Sequence, residues 1–247
     1  MKGSLAVVAL DLKRLWQDRV RLISSLVQPL LYLFVLGSGL GANSTLGGPD
    51  YLRFIYPGVI GLTLLFTSVF SAILIVFDRQ FGFLKAVLVA PLSRVGIAAA
   101  KVASGALQAL VPALLLLLFA PLIGVHAGAL GWLELIAAMT GAAVTFSALG
   151  VAVAARFNST VVFPVIANAV LLPMFFVSGA MFPLTGTPRW LQRLAYFDPV
   201  AYAVDLMRGA LLGQRYFPVW LSVIVLTAFV LGLGWAAARV FAAGEDA

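Results

Sequence analysis

Apolar side chains run along this chain in long continuous stretches rather than in the short alternating segments of a membrane β-barrel. Six stretches come near the roughly 20 residues a helix needs to cross a bilayer core. They lie at about 22–41, 57–77, 97–123, 132–155, 160–183 and 219–241. Polar breaks separate them. Gly37-Ser38-Gly39-Leu40-Gly41 ends the first, Tyr56-Pro57-Gly58 precedes the second, Asp78-Arg79 stops it, and Arg156-Phe157-Asn158-Ser159 divides the fourth from the fifth. Three further segments have a pattern of their own. Residues 4–20 place Leu5, Val8, Leu12, Leu15 and Trp16 at helical spacing among charged positions, which predicts an amphipathic helix in the membrane interface. In 78–94, Phe83, Leu84, Val87 and Leu88 share a helical face that Pro91 would end. In 184–218, Thr187-Pro188 and Asp198-Pro199 each join a capping residue to a proline, predicting helices over about 188–196 and 199–212, the second closed by Gly213.

The expected fold is therefore all-α and polytopic, one transmembrane domain over 1–247. Composition agrees: of 247 residues, 63% are apolar and 10% charged, which excludes a soluble globular domain, a disordered chain and a nucleic-acid-binding module. The net charge of +7 carries orientation. With the N-terminus inside, eleven of the sixteen basic residues fall on inner segments, so both termini are expected in the cytoplasm. The first residues are too short an apolar run for a cleavable leader. There is no cysteine, so thiol chemistry and zinc–thiolate sites are out.

No motif in the chain supplies an energy source. Gly96-Ile97-Ala98-Ala99-Ala100-Lys101 lacks the last glycine and the hydroxyl of a phosphate loop. The lone His126 sits between Gly124 and Gly128 and reads as a surface residue, so neither a catalytic nor a metal site is expected. Gly37 and Gly41 read as turn glycines, with close helix packing as the second reading. Glu134 and Lys101 are the ionisable groups inside the runs, both near an end from which they can reach the interface; a gate or substrate contact for Glu134 stays open. The 78–94 helix has two readings, a linker on the headgroups and a knob gripped by a cytoplasmic partner. The residues describe a conduit that lacks its own engine.

Three blocks around the six runs bear a resemblance. They are Arg79-Gln80-Phe81-Gly82-Phe83-Leu84-Lys85 through Leu88-Val89-Ala90-Pro91-Leu92-Ser93-Arg94, then Leu172-Pro173-Met174-Phe175-Phe176-Val177-Ser178-Gly179-Ala180-Met181-Phe182-Pro183-Leu184 with its continuation to Gly213, and Phe54-Ile55-Tyr56-Pro57-Gly58. Together they resemble the permease subunits of ABC-2 type transporters, in the drug-resistance and nodulation-export branch. The resemblance implies six transmembrane helices, an N-terminal interfacial helix over 1–21, a coupling helix in 78–94 and re-entrant outer helices in 184–218. It implies a working unit of two permeases, as a homodimer, and two cytoplasmic ATPase subunits that bind ATP and Mg, in a bacterial inner membrane. Arg79, Phe81, Phe83, Leu84, Lys85, Leu88, Pro91 and Arg94 would then meet the ATPase. Ala86 and Gln80 stand where members often carry acidic residues, which moves the grip to the two cations and to apolar contact. Pro183, Trp190, Asp198, Pro199, Tyr202, Asp205 and Arg208 would form the outer gate. Phe66, Phe70, Glu134, Asn168, Phe175 and Phe176 would lie on the path of an amphipathic, drug-like or lipid-like substrate. A polysaccharide or glycolipid cargo is one alternative; an ATP-independent secondary carrier or lipid-handling protein is another.

Overall fold

The computed structural model describes residues 8, 11, 13, 19–37, 39, 49–80, 94–157 and 159–243. Residues 81–93 of the expected coupling segment 78–94, and most of the expected interfacial helix, lie outside the described residues. What is described is helical, with no strand among it. The helices are α1 (Arg19–Leu31, continued by a π turn, Tyr32–Leu36), α2 (Pro49–Ser71), α3 (Ile73–Gln80), α4 (Arg94–Leu116), α5 (Ala120–Ile123), α6 (Ala129–Ala154), α7 (Val162–Val177), α8 (Arg189–Ala195), α9 (Pro199–Leu212) and α10 (Val219–Ala243).

Four helical stretches are long and apolar enough to cross a membrane: Tyr51–Asp78, Gly96–Ile123, Ala129–Ala154 and Val219–Ala237. Ile23–Val35 and Val162–Val177 are shorter apolar helices. At about 1.5 Å per residue, α7 falls short of the about 30 Å of a hydrocarbon core. The expected run 160–183 is cut at its end by a local device. The Ser178 hydroxyl donates to the Phe175 carbonyl and accepts from the Ala180 amide, and Gly179 takes φ +73°, turning the chain out of the helix.

α6 is the central helix, packed against α2, α4, α9 and α10. Its contacts are close because they are made by small residues. A Cβ on Gly150 would lie 2.7 Å from the Val69 Cα, and a Cβ on Gly105 of α4 would strike the hydroxyls of Ser147 and Ser71. Where helix association in lipid relies on packing rather than water exclusion, such notches let backbones approach.

Two expectations are corrected here. Tyr56-Pro57-Gly58 is no loop: α2 runs through it, with Gly58 pressed against the Ala180 carbonyl and the Tyr56 hydroxyl donating to the Leu116 carbonyl at 2.9 Å. Tertiary contacts hold a helix across a proline that local preference would place at its start. Gly37 is no turn glycine. It is helical and buried, where a Cβ would lie 2.5 Å from the Leu52 side chain, so the packing reading of that glycine holds.

Candidate functional site

A proline shapes the helix that borders the main cavity. Pro29 has no amide to give to the turn before it, and the π turn after it widens the helix. α1, α2 and α7 then leave a groove of about 790 Å³ between them. Its wall carries Ser24, Gln28 and Tyr32 from α1, Phe66, Thr67 and Phe70 from α2, and Asn168 from α7. Each helix contributes at i, i+4 spacing, so one stripe of each faces the groove. Phe66 and Phe70 stack at 6.1 Å, and Phe70 meets the buried Phe163 of α7 edge-on at 6.3 Å. The aromatic pair is thus fixed against α7 while its free faces line the opening. Asn168 and Gln28 are exposed on otherwise apolar helices, which is costly in lipid and suits a wall that meets water, cargo or another protein.

Of the six residues expected along the pathway, the structure brings Phe66, Phe70 and Asn168 together in this groove. Phe175 is buried and Phe176 is exposed. Glu134 is elsewhere: its carboxylate accepts from Arg215 Nη2 at 2.8 Å at the mouth of a separate cleft. The sequence reading missed Ser24, Gln28, Tyr32 and Thr67, although Ser24, Gln28 and Tyr32 form an i, i+4, i+8 polar stripe on an apolar run.

At the end of the bundle where α3 stops and α4 starts, Lys101 does not reach for the interface. It is buried, with Nζ 3.3 Å from Asp11 Oδ2 and 3.4 Å from Asp78 Oδ2. Ser104 Oγ donates to the same Asp11 oxygen at 2.9 Å, and Gln108 Nε2 donates to Ser104 at 3.1 Å. One ammonium therefore ties Asp11 to α3 and α4, at the first residue of the expected coupling segment 78–94. Asp11, which the sequence places on a polar face, is buried. Of the residues expected to meet an ATPase, Arg79 lies in the last turn of α3 and Arg94 starts α4, while Phe81, Phe83, Leu84, Lys85, Leu88 and Pro91 lie outside the described residues.

The opposite end holds the residues expected of an outer gate. Asp198 caps α9 by accepting from the Val200 amide at 2.9 Å, and Gly213 closes that helix at φ +70°. Thr187 differs from its expected capping role: its hydroxyl donates to the Leu184 carbonyl, and α8 starts after Pro188. α9 is buried along most of its length, packed on α2, α6 and α10. Arg208 stands over the Phe54 ring at 4.0 Å and donates to the carbonyls of Gly179 at 3.0 Å and Ala180 at 3.4 Å. It thereby fixes the turn after α7. Asp205 accepts from the amides of Tyr216 at 2.7 Å and Phe217 at 3.0 Å, fixing the turn before α10. Tyr202 packs on Phe217 at 4.3 Å and donates to the Tyr196 carbonyl. Pro199 is buried with them, Pro183 is half-buried in the turn, and Trp190 stands on the surface. Burial pushes the Asp198 carboxyl up to about 7 against the lowering effect of the Val200 amide, and its Oδ2 has no partner among the described residues.

These features can be set beside known proteins. The family model of the ABC-2 type transporter matches residues 4–212. Nodulation protein J of Rhizobium leguminosarum bv. viciae is 32% identical over 219 residues, covering 85% of this chain and 82% of the relative. A putative transport permease, ycf38, of Cyanophora paradoxa is 30% identical over 199 residues, 76% of this chain and 67% of its own length. The probable doxorubicin resistance ABC transporter permease protein DrrC of Mycobacterium tuberculosis is 27% identical over 220 residues, 88% and 79% respectively. The family match spans the helices that build the groove, the Lys101 cluster and α9, and this chain is a membrane protein that belongs to the ABC-2 type transporter family.

Proposed function

We propose that the chain is the membrane-spanning permease subunit of an ATP-binding-cassette exporter, carrying an amphipathic or hydrophobic cargo outward. The observation that supports this best is the α1–α2–α7 groove, in which stacked aromatics and uncharged polar groups stand together on apolar helices. A volume of about 790 Å³ is within the range of sites that hold drug-sized molecules. Among the described residues its lining carries no charge, which suits cargo that is mostly apolar. In this reading all six apolar helices span the bacterial cytoplasmic membrane, both termini are cytoplasmic, and α8 and α9 form a re-entrant outer element.

Energy enters from a separate ATPase subunit that binds ATP and Mg, through residues 81–94. Two permeases and two ATPases form the unit. The outward stripe Ile23, Val27, Leu31 and Val35 of α1, spaced four apart and more than 45% exposed at each position, supports pairing of two copies along this helix. Rocking of the pair around the groove would then expose it alternately to either side.

Inside-out vesicles holding the permease and its ATPase, given ATP and a fluorescent cationic drug, test the reading. Accumulation should require ATP hydrolysis, survive an uncoupler, and fall at least about tenfold in Phe70→Ala as a stacking face is lost. Accumulation that needs a proton gradient and no nucleotide would establish a secondary carrier instead. ATP-driven export of a labelled glycan with no drug transport would move the cargo to the saccharide class.

A further inference from the structure

The second cleft is separate from the groove. It lies between α6, α9 and α10, has a volume of about 370 Å³, and its floor is Ala137, Gly141, Val223 and Leu226. Two charged groups stand at the mouth, Arg215 and Glu134, with side chains 32% and 44% exposed. We propose that this cleft is a phospholipid site, holding an acyl chain on its floor and a primary-ammonium headgroup at its mouth. The proposal does not depend on the transport reading.

The mouth is built rather than incidental. A Cβ at position 209 would collide with the Arg215 side chain, so Gly209 of α9 is the notch across which that side chain lies. The turn that carries Arg215 is itself pinned by Asp205, through the amides of Tyr216 and Phe217. Arg215 is thereby aimed at Glu134, and that bond uses one of its five N–H donors. The remaining donors suit a phosphate diester, for which a guanidinium is the preferred partner. Glu134 is a carboxylate with room for a second donor. A cation held there offsets the repulsion a phosphate would feel from Glu134. A zwitterionic headgroup with a primary ammonium supplies both charges at neighbouring positions, and its N–H groups can donate to the carboxylate. A trimethylated ammonium has no such donor, and a glycerol headgroup leaves the carboxylate facing only negative charge.

Below the mouth the lining has no polar group looking for a partner. The Thr227 hydroxyl donates to the Val223 carbonyl within its own helix. The floor is shaped by a missing side chain, since a Cβ on Gly141 would meet nothing within 4 Å. α10 is mostly exposed along its apolar stretch, so the cleft opens to the surroundings of the bundle. The exposed Trp220 follows Val219, which lines the cleft, a position suited to the headgroup level. An apolar slot, open sideways and topped by one positive and one negative group, matches a diacyl phosphoethanolamine lipid in charge, polarity and direction of approach.

Native mass spectrometry of the full-length protein, titrated in detergent with palmitoyl-oleoyl phosphatidylethanolamine, phosphatidylglycerol or phosphatidylcholine, tests this. The ethanolamine lipid should bind about tenfold more tightly than the other two, the worth of one charge-assisted hydrogen bond. Gly141→Leu, whose side chain enters open space in the cleft, should lose all three lipids. Arg215→Gln should also lose all three. Glu134→Gln should erase the preference for ethanolamine while the glycerol lipid binds at least as well as before. The proposal fails if Gly141→Leu retains wild-type binding, or if the wild type binds the choline lipid as tightly as the ethanolamine lipid. It fails equally if Gly141→Leu changes the oligomeric state, because a second copy would then be what covers the cleft.

Discussion

A carboxylate that caps a helix from inside the protein has two jobs that a single substitution can separate. Asp198 Oδ1 satisfies the Val200 amide, while burial holds the carboxyl up to about 7 against the ordinary value of 3.8. The sign follows from proton counting. Between pH 4 and 7 the unfolded chain has released this proton and the native chain keeps it, so stability falls as pH rises, by up to about 1.4 kcal/mol per unit, and levels off above the native value. Asp198→Asn keeps the capping oxygen and loses the charge. It should flatten the melting temperature between pH 5 and 8 and raise it at pH 8, whereas Asp198→Ala should give the same flat profile about 1 kcal/mol below Asp198→Asn, because it also loses the cap. Parallel pH profiles for wild type and Asp198→Asn in differential scanning fluorimetry would remove Asp198 as the source. Lys101 is the converse case, a cation whose loss leaves two carboxylates facing each other. Lys101→Met should destabilise by about 3 kcal/mol, with Lys101→Arg restoring much of it; an unchanged thermal midpoint for Lys101→Met would show that the cluster carries no net stability.

Helices and their ends divide into what sequence spacing could show and what it could not. Asp198-Pro199 and Gly213 bracket α9 as expected, because caps act within one turn of chain. Ser159, in the expected break before the fifth run, likewise accepts from the amides of Val161 and Val162 at the start of α7. Pro57 misleads because the contacts that carry α2 through it come from Ala180 and Leu116, far along the chain. The Lys101 partners were illegible for the same reason, at separations of 90 and 23 residues. The signal was still present: a lysine inside an apolar run needs a counter-charge, and Asp11 and Asp78 were available at the same end. The groove was half legible, because aromatics stand out in a sequence while a serine–glutamine stripe reads as noise until its helix is placed. Glycine spacing makes a sharper test of the packing. Gly150→Ala should separate α6 from α2 and cost more than 2 kcal/mol by the order of a core overpacking, roughly 1–3 kcal/mol or above. Gly141→Ala meets open space and should gain about 0.5–1 kcal/mol from helix propensity. Thermal unfolding of the two alanine variants, side by side, checks both; equal effects would contradict the close approach at Gly150.

The molecule as a whole is a bundle in which α2 is the most buried long helix and α1 and α10 are open to their surroundings, so its two open sides can be assigned different work. On the proposed reading, α1 faces the second permease. The chain has no cysteine, so Leu31→Cys installs a single thiol, and copper-phenanthroline should convert it to a disulfide-linked dimer in membranes. A monomer under oxidation would place the pairing surface elsewhere. Docking of the ATPase belongs to residues 81–94, and a double substitution Phe83→Asp with Leu84→Asp should abolish co-purification with that subunit; an unchanged complex would sink the assignment.

The Asp11–Lys101 bond also has a consequence in time. The two residues are 90 apart in the chain, so Asp11 leaves the ribosome well before its partner exists. At about 5–20 residues per second the interval is roughly 5 to 20 s. During it Asp11 has yet to meet Lys101, while the first two apolar helices are being made. Only when the start of α4 is in place can this bond close. The finished ion pair is thus a record of assembly order, closing the bundle at the face that the ATPase is proposed to grip.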